Sequence, residues 1–150
     1  MTSVLVVCIG NVCRSPVGER VLKDKLGGAH VESAGLGALV GHPADATAAK
    51  VAELHGVSVA GHEARQFSVE LGDNADLILV MEPEHRQKIA QSHPHLSGKT
   101  MLFDHWTERK GIPDPFRRSQ EYHELVFGLI EAAAVGWAEK LAPQGGNQNV

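Results

Sequence analysis

The feature that most constrains the fold lies between the first apolar run and the first helical repeat. An apolar run at 4–7 is followed at once by Cys8-Ile-Gly-Asn-Val-Cys-Arg14-Ser15-Pro16, where a helical repeat begins. A buried strand that enters a helix through a short loop is typical of α/β folds. The loop sets a cysteine and an arginine six positions apart, with glycine and asparagine between them. This pattern predicts an oxyanion site beside a sulfur nucleophile.

Apolar runs and helical repeats alternate along the rest of the chain. Three apolar runs predict buried strands at 4–7, 77–81 and 100–103, and a fourth, weaker run predicts a strand at 29–33. The helical repeats predict helices at 16–26, 45–55, 83–92 and 122–141. A further short helix is expected around 68–71. Strands that alternate with helices favour a parallel sheet covered on both faces. We therefore expect an α/β fold: a single-domain, three-layer α/β/α structure with a four-stranded parallel sheet and a phosphate-binding loop after the first strand.

Two serines are predicted to cap helices. Ser15 precedes Pro16, and proline is favoured at the first position of a helix, so Ser15 is the expected N-cap of the first helix. Ser119 stands before the apolar stripe of the last helix and is its expected N-cap.

Length and composition limit the class of protein. The 150 residues fit one domain, predicted at 1–142, and the Gly/Gln/Asn-rich tail 143–150 is predicted to be disordered. A net charge of −4 argues against nucleic-acid binding, which needs a basic face. No apolar run approaches the roughly 20 residues of a membrane span, so no membrane insertion is expected.

The cysteine count and the N-terminus indicate a cytoplasmic protein. The first strand starts within three residues of the N-terminus, without a basic region or cleavage site, so no signal peptide is expected. Two cysteines five positions apart do not form a secreted disulfide framework. They are also too few for a four-thiolate zinc site, and no nearby histidine completes a mixed set, so no metal is predicted.

The loop supplies what a thiolate nucleophile needs. A free thiol is mostly protonated at neutral pH, and a helix N-terminus beside Cys8 favours its anion. Gly10 lets the backbone N–H groups turn inward, and Asn11 suits a left-handed backbone conformation. Arg14 offers a planar fork for two phosphoryl oxygens, and Ser15 can donate its hydroxyl to the sulfur. A cysteine or a glycine alone more often serves packing or a turn, but the combination favours the site.

Transfer of a phosphoryl group to sulfur also needs a proton for the leaving group. Asp114 is the candidate acid, because Pro113 and Pro115 stiffen the loop around it. An Asp-Pro pair alone is usually a turn element. The loop lacks the Gly-Lys-Ser/Thr of a nucleotide-binding P-loop, so nucleotide binding is not indicated.

These motifs resemble the low-molecular-weight protein tyrosine phosphatases. The resemblance starts from Cys8-x5-Arg14-Ser15 and Asp114-Pro115-aromatic, and it runs from Val4 to about Leu141. Further matching blocks follow in order at 33–35, 61–66 and 76–82. The blocks at 33–41 and 101–106 resemble the bacterial branch tied to capsule and exopolysaccharide export, whose members act on an autophosphorylated membrane tyrosine kinase.

The resemblance implies a role for each matching residue. Cys8 would attack phosphorus, Arg14 would hold the equatorial oxygens, and Asp114 would act as general acid and then as general base. The residues implied to form the rest of the phosphate-binding loop are Ile9, Gly10, Asn11, Val12, Cys13 and Ser15. Ser33 and His62 would support the loop. The implied partner is a phosphotyrosine-containing protein, a bacterial tyrosine autokinase, with no metal or cofactor; a monomer is favoured and the oligomeric state stays open.

The implied substrate walls depart from the family pattern. Leu39 stands where many relatives have an aromatic residue, and Phe116 and Arg117 stand where eukaryotic members have paired tyrosines. Stacking on the phosphotyrosine ring is therefore expected to be weaker on one side. The Arg117-Arg118 pair either attracts acidic, multiply phosphorylated peptides or is an ordinary solvated basic pair.

Cys13 has two open interpretations. The resemblance implies a reversible disulfide with Cys8, which would protect the nucleophile from overoxidation. The alternative is a buried thiol that fills space under the loop.

Three other functions are weighed against the phosphatase. Arsenate reductases on this scaffold pass a disulfide to a further cysteine outside the loop, and this chain has only two cysteines. Sugar phosphotransferase carriers also phosphorylate a loop cysteine, but they need neither the Arg14 clamp nor the Asp114 acid. A non-catalytic phosphotyrosine-binding module would have lost the nucleophile or the acid, and both are present.

Overall fold

Four parallel strands form the sheet in a computed structural model that describes residues 2–27 and 29–142. The strands are β1 (Ser3–Cys8), β2 (His30–Gly35), β3 (Leu77–Val80) and β4 (Thr100–Leu102). Their order across the sheet is β2-β1-β3-β4, and each neighbouring pair is parallel. The predicted four-stranded parallel sheet is confirmed.

The helices cover both faces of the sheet. They are α1 (Arg14–Leu26), α2 (Ala46–Leu54), α3 (Val69–Asn74), α4 (Pro83–Ser92) and α5 (Gln120–Leu141), with a 3₁₀ helix at Pro94–Lys99. Helices α1, α2 and α5 pack on one face, and α4 and the 3₁₀ helix pack on the other. This is the expected three-layer α/β/α arrangement.

Side chains of β1 alternate between the two faces of the sheet. Val4 and Val6 belong to the core beneath α1 and α5, whereas Leu5 and Val7 belong to the core beneath α4. All four are at most 2% exposed. A central strand that is buried on both faces reads as a continuous apolar run, which explains the pattern at 4–7.

The strand order places a crevice at the carboxyl ends of β1 and β3. The chain leaves β1 toward β2 on one side of the sheet, and β3 lies on the other side of β1. Ligands of open parallel sheets bind at such a switch point. Cys8 is the last residue of β1, and Glu82 lies two residues beyond the end of β3.

The prediction that Ser15 caps α1 is wrong. The helix begins at Arg14, its N-cap is Cys13, and no side chain caps it. The Ser15 hydroxyl instead contacts Cys8 Sγ and the Asn11 amide, so it is committed to the loop. Gly27 ends α1 as predicted, and Ser119 caps α5 by accepting from the Tyr122 amide.

Smaller differences concern the element ends. β4 stops at Leu102, one residue short of the predicted end. The short helix α3 begins after its N-cap Ser68 and extends to Asn74, three residues beyond the predicted end. The 3₁₀ helix was not predicted. The predicted disordered tail 143–150 lies outside the described residues. Within the part of the chain that the structure describes, no helix has the length and apolarity needed to cross a membrane.

Candidate active site

The loop 9–13 encloses the Cys8 thiol at the N-terminal end of α1. Cys8 Sγ lies 2.8 Å from Ser15 Oγ and accepts a hydrogen bond from the Asn11 amide at 3.3 Å. The residue is 3% exposed. A sulfur anion in this position is favoured by the N–H donor, by the hydroxyl and by the positive end of the α1 dipole.

Asn11 holds the loop in shape. Its φ is +59°, in the left-handed region that the sequence predicted for it. The Asn11 side-chain amide donates to Ser15 Oγ at 2.7 Å and to Ser33 Oγ at 3.1 Å. Its Oδ1 accepts from the Arg65 amide at 2.9 Å, and its carbonyl oxygen accepts from His62 Nε2 at 2.6 Å. Four contacts therefore fix one buried residue of the loop.

A second layer of contacts supports Ser33. Its hydroxyl donates to Glu19 of α1 at 2.6 Å, and its carbonyl oxygen accepts from Arg65 Nε at 2.9 Å. Gly35, two residues further along β2, must be glycine because a Cβ there would overlap the Ile9 carbonyl oxygen. The loop backbone thus rests directly on the end of β2.

The Arg14 guanidinium is held from one side. It is 2% exposed, and its Nη1 donates to the Glu82 carboxylate and to the Ile112 carbonyl oxygen, the latter at 2.7 Å. Within residues 2–27 and 29–142, Nη2 meets only Asp114 Oδ2, at 3.8 Å. The Nε–Nη2 edge is therefore available for a pair of oxyanion atoms. Burial and the Arg14 charge lower the pKa of His85, which keeps this imidazole neutral beside Glu82.

Asp114 lies across the cleft from the loop. Its side chain is 49% exposed, and its Oδ1 accepts from the Phe116 amide at 3.0 Å. The cleft has a volume of about 210 Å³. Its lining consists of Cys8, Ile9, Gly10, Val12, Cys13, Arg14, Gly37, Leu39, Asp114 and Phe116. The cleft therefore joins loops that follow β1, β2 and β4.

Two partly exposed apolar side chains line the cleft. Leu39 is 40% exposed and Phe116 is 37% exposed. They are the two residues that the sequence predicted as substrate walls. One aromatic ring and one branched aliphatic side chain therefore add apolar surface to the cleft that contains Cys8 and Arg14.

Cys13 is a buried thiol at the end of the loop, and it contributes to the cleft lining. Burial raises the pKa of the Cys13 thiol, and the carboxylates of Asp45 and Asp114 raise it further. Cys13 is 4% exposed, and both cysteines are free thiols. Cys13 is therefore protonated at neutral pH and is a poor attacking group.

The structure brings the predicted site residues together, and it adds three that were not predicted as site residues. Cys8, Arg14 and Asp114 face one cleft, and Ser33 and His62 contact Asn11 behind it. The added residues are Glu19, Arg65 and Glu82. Glu82 could have been predicted, because it follows β3 at the same edge of the sheet where Cys8 ends β1. In the described ranges, no three His, Cys, Asp or Glu side chains form a group able to hold a metal ion.

Known proteins share this fold and sequence. The sequence model of the family described as low molecular weight phosphotyrosine protein phosphatase matches residues 3–147. Low molecular weight protein-tyrosine-phosphatase Etp of Escherichia coli (strain K12) is 54% identical over 140 residues, covering 93% of this chain and 95% of Etp.

Two solved structures extend the comparison. Erwinia amylovora tyrosine phosphatase AmsI is 47% identical, with a TM-score of 0.92 over 95% of this chain and 94% of AmsI. Vibrio vulnificus Wzb in complex with benzylphosphonate is 46% identical, with a TM-score of 0.91 over 93% of this chain and 99% of that protein. The chain belongs to the low molecular weight phosphotyrosine protein phosphatase family. Its activity is that of a protein-tyrosine-phosphatase.

Proposed function

We propose that the enzyme hydrolyses phosphotyrosine through a phosphocysteine intermediate on Cys8. The observation that carries the proposal is the position of Cys8 Sγ. It lies at the base of a cleft, 2.8 Å from Ser15 Oγ and 3.3 Å from the Asn11 amide, with Arg14 and Asp114 on the same cleft. A sulfur nucleophile, an anion clamp and a carboxyl group then face one substrate.

In the first step, the Cys8 thiolate attacks phosphorus and forms the S–P bond while the P–O bond to tyrosine breaks. The loop amides and the Nε–Nη2 edge of Arg14 bind the equatorial oxygens, whose charge is greatest in the transition state. The Asp114 carboxyl group gives its proton to the leaving tyrosine oxygen. The products of this step are tyrosine and phosphocysteine.

In the second step, water attacks phosphorus and the S–P bond breaks. The Asp114 carboxylate takes a proton from the water, and inorganic phosphate forms. The Ser15 hydroxyl donates to the departing thiolate, which their 2.8 Å separation allows. The enzyme returns to its starting state with its thiolate and its carboxylic acid restored.

The proposed substrate is an autophosphorylated bacterial tyrosine kinase that controls capsule or exopolysaccharide export. We propose that the enzyme acts on it in the cytoplasm. The resemblance of blocks 33–41 and 101–106 to that branch supports this substrate. The apolar side chains of Leu39 and Phe116, which line the same cleft as Cys8, suit contact with an aryl ring. Loss of phosphotyrosine from such a kinase with the wild-type enzyme, and not with Cys8→Ser, is the expected result. Persistence of the phosphotyrosine with the wild type would contradict this substrate.

The mechanism is tested by steady-state hydrolysis of p-nitrophenyl phosphate and phenyl phosphate. Cys8→Ser should abolish turnover of both substrates. Asp114→Asn should lower kcat by about 10²–10⁴-fold, and more for phenyl phosphate, because its leaving group needs the proton more. The matched control is Asp24→Asn, which removes an equal charge from the exposed face of α1 and should leave kcat unchanged. Turnover by Cys8→Ser at the wild-type rate would refute the mechanism.

A further inference from the structure

Two arginines follow Asp114 in the acid-bearing loop, and they have different contacts. The Arg117 guanidinium lies over the Phe116 ring, with Cζ 5.3 Å from the ring centroid. The Arg118 guanidinium lies over the ring of Tyr122, in the first turn of α5, at 4.2 Å. Both side chains are exposed, and neither forms an ion pair within residues 2–27 and 29–142. Both positive charges are therefore available at the surface, but each guanidinium lies over a different aromatic ring.

The backbone of Arg117 is in a conformation that a residue with a Cβ rarely adopts. Its φ is +63°, in the left-handed region that favours glycine. The turn is closed by the Arg118 amide, which donates to the Pro115 carbonyl oxygen at 2.8 Å. Strained non-glycine residues concentrate at functional sites, where the surrounding structure holds them. Here the strained turn sets Phe116 in the cleft wall and Arg117 against that ring.

We propose that Arg117 determines substrate specificity by binding an anionic side chain that flanks the phosphotyrosine. This inference rests on the proposed function above. Phe116 lines the cleft and Arg117 does not, so the aromatic ring separates the guanidinium from the bound phosphotyrosine. The anion that Arg117 binds therefore belongs to a neighbouring residue. An extended peptide advances about 3.3–3.6 Å per residue. We therefore expect a residue one to three positions from the phosphotyrosine to reach a guanidinium that lies 5.3 Å from the centre of this ring.

The chemistry of the flanking group is that of a carboxylate or a phosphate. A guanidinium presents two parallel N–H donors, which match either group in a bidentate pair. The guanidinium lies over the Phe116 ring, and among residues 2–27 and 29–142 no hydrogen bond occupies its N–H donors, so they are open to such a pair. Arg118 carries the same charge one residue away, but its stack on Tyr122 directs it toward α5. A purely long-range attraction would treat the two arginines alike, whereas a local contact would not.

The test compares kcat/KM for three phosphotyrosine peptides of otherwise identical sequence. In each peptide, the residues two positions before and two positions after the phosphotyrosine are the same. Both are glutamine in the first peptide, glutamate in the second and phosphoserine in the third. The wild-type enzyme is expected to prefer the glutamate peptide over the glutamine peptide by about three- to fivefold. The wild-type enzyme is expected to prefer the phosphoserine peptide over the glutamine peptide by about tenfold. The two acidic peptides distinguish a carboxylate from a phosphate as the recognised group.

Arg117→Gln should bring both preference ratios close to one, and Arg118→Gln should leave them at the wild-type values. Arg117→Lys should keep part of the preference, because it keeps the charge and loses the planar fork. Equal losses in the two glutamine variants would overturn the proposal, as would an unchanged ratio in Arg117→Gln or no preference in the wild type. Failure of the proposed function looks different: the wild type would then hydrolyse none of the peptides, or Cys8→Ser would hydrolyse them equally well.

Discussion

Asn11 shows how much of the loop depends on a single side chain. Its amide reaches Ser15 in α1 and Ser33 in β2, while its oxygen atoms accept from Arg65 and His62. The residue is fully buried. A buried polar side chain whose hydrogen bonds are all formed stiffens its surroundings. Removing that side chain leaves each of its buried partners without a hydrogen bond.

Replacing Asn11 should separate its backbone contribution from its side-chain contribution. Asn11→Gly and Asn11→Ala both lose the side-chain hydrogen bonds and should each lower the free energy of unfolding by about 2–3 kcal/mol. A left-handed alanine costs about 1–2 kcal/mol, and the greater conformational entropy of glycine in the unfolded chain offsets part of that cost. The alanine variant should therefore be less stable than the glycine variant by about 0.5–1 kcal/mol. Urea unfolding measures both values. An alanine variant more stable than the glycine variant would contradict the role of the left-handed backbone.

Cys13 makes stability depend on pH above neutrality. Burial and the neighbouring carboxylates hold the pKa of its thiol above the ordinary value of about 8.5. The folded state therefore binds this proton more tightly than the unfolded state. The resulting stabilisation is fully present below about pH 8.5 and is lost as the pH rises beyond it.

Cys13→Ser should remove this dependence. The difference in unfolding free energy between wild type and Cys13→Ser should be constant from pH 6 to about pH 8, and should then fall by up to about 1.4 kcal/mol per pH unit. Taking the difference cancels the titration of Cys8, lysines and tyrosine, which both proteins share. Urea titrations at several pH values measure it. A difference that stays flat to pH 10.5 would contradict the shifted pKa.

At the scale of elements, the strand ends explain which site residues were predictable. Cys8 is predictable from the sequence because strand, loop and helix follow one another locally. Glu82 depends on the pairing of β1 with β3, which brings Cys8 and Glu82, 74 residues apart in sequence, to one edge of the sheet. The start of α1 at Arg14 also escaped prediction, because the Ser15 hydroxyl binds Cys8 and not the helix end. Local pattern thus predicts the loop, and long-range pairing determines its supports.

Two glycines in α5 offer a matched test of packing. Gly128 is exposed, and a Cβ there would meet nothing within 4 Å, whereas a Cβ at Gly136 would come within 2.8 Å of the Trp106 Cβ. Gly128→Ala should raise the free energy of unfolding by about 0.5–1 kcal/mol, because alanine is the better helix former. Gly136→Ala should lower it by about 1–3 kcal/mol through overpacking. Thermal unfolding measures both changes, and equal stabilisation by the two variants would show that α5 does not press on Trp106.

At the scale of the whole molecule, the cleft is assembled from loops that follow three of the four strands. Cys8 and Asp114 are 106 residues apart in sequence, yet they line one cavity. The sheet brings the loops to a single edge, and α1 and α5 pack together behind them. The sequence predicted this architecture because three of the four strands are apolar runs and the longer helices have clear repeats. It did not predict the distances, which depend on how all the layers pack.

The central claim is that Cys8 carries the phosphoryl group between the two steps. The direct measurement is rapid acid quench of the enzyme during hydrolysis of p-nitrophenyl phosphate, followed by peptide mass spectrometry. We expect the mass of one phosphoryl group on the peptide that contains Cys8, appearing with a burst of p-nitrophenolate and absent from Cys8→Ser. Full turnover by the wild type with no phosphorylated peptide at any quench time and no burst would contradict it.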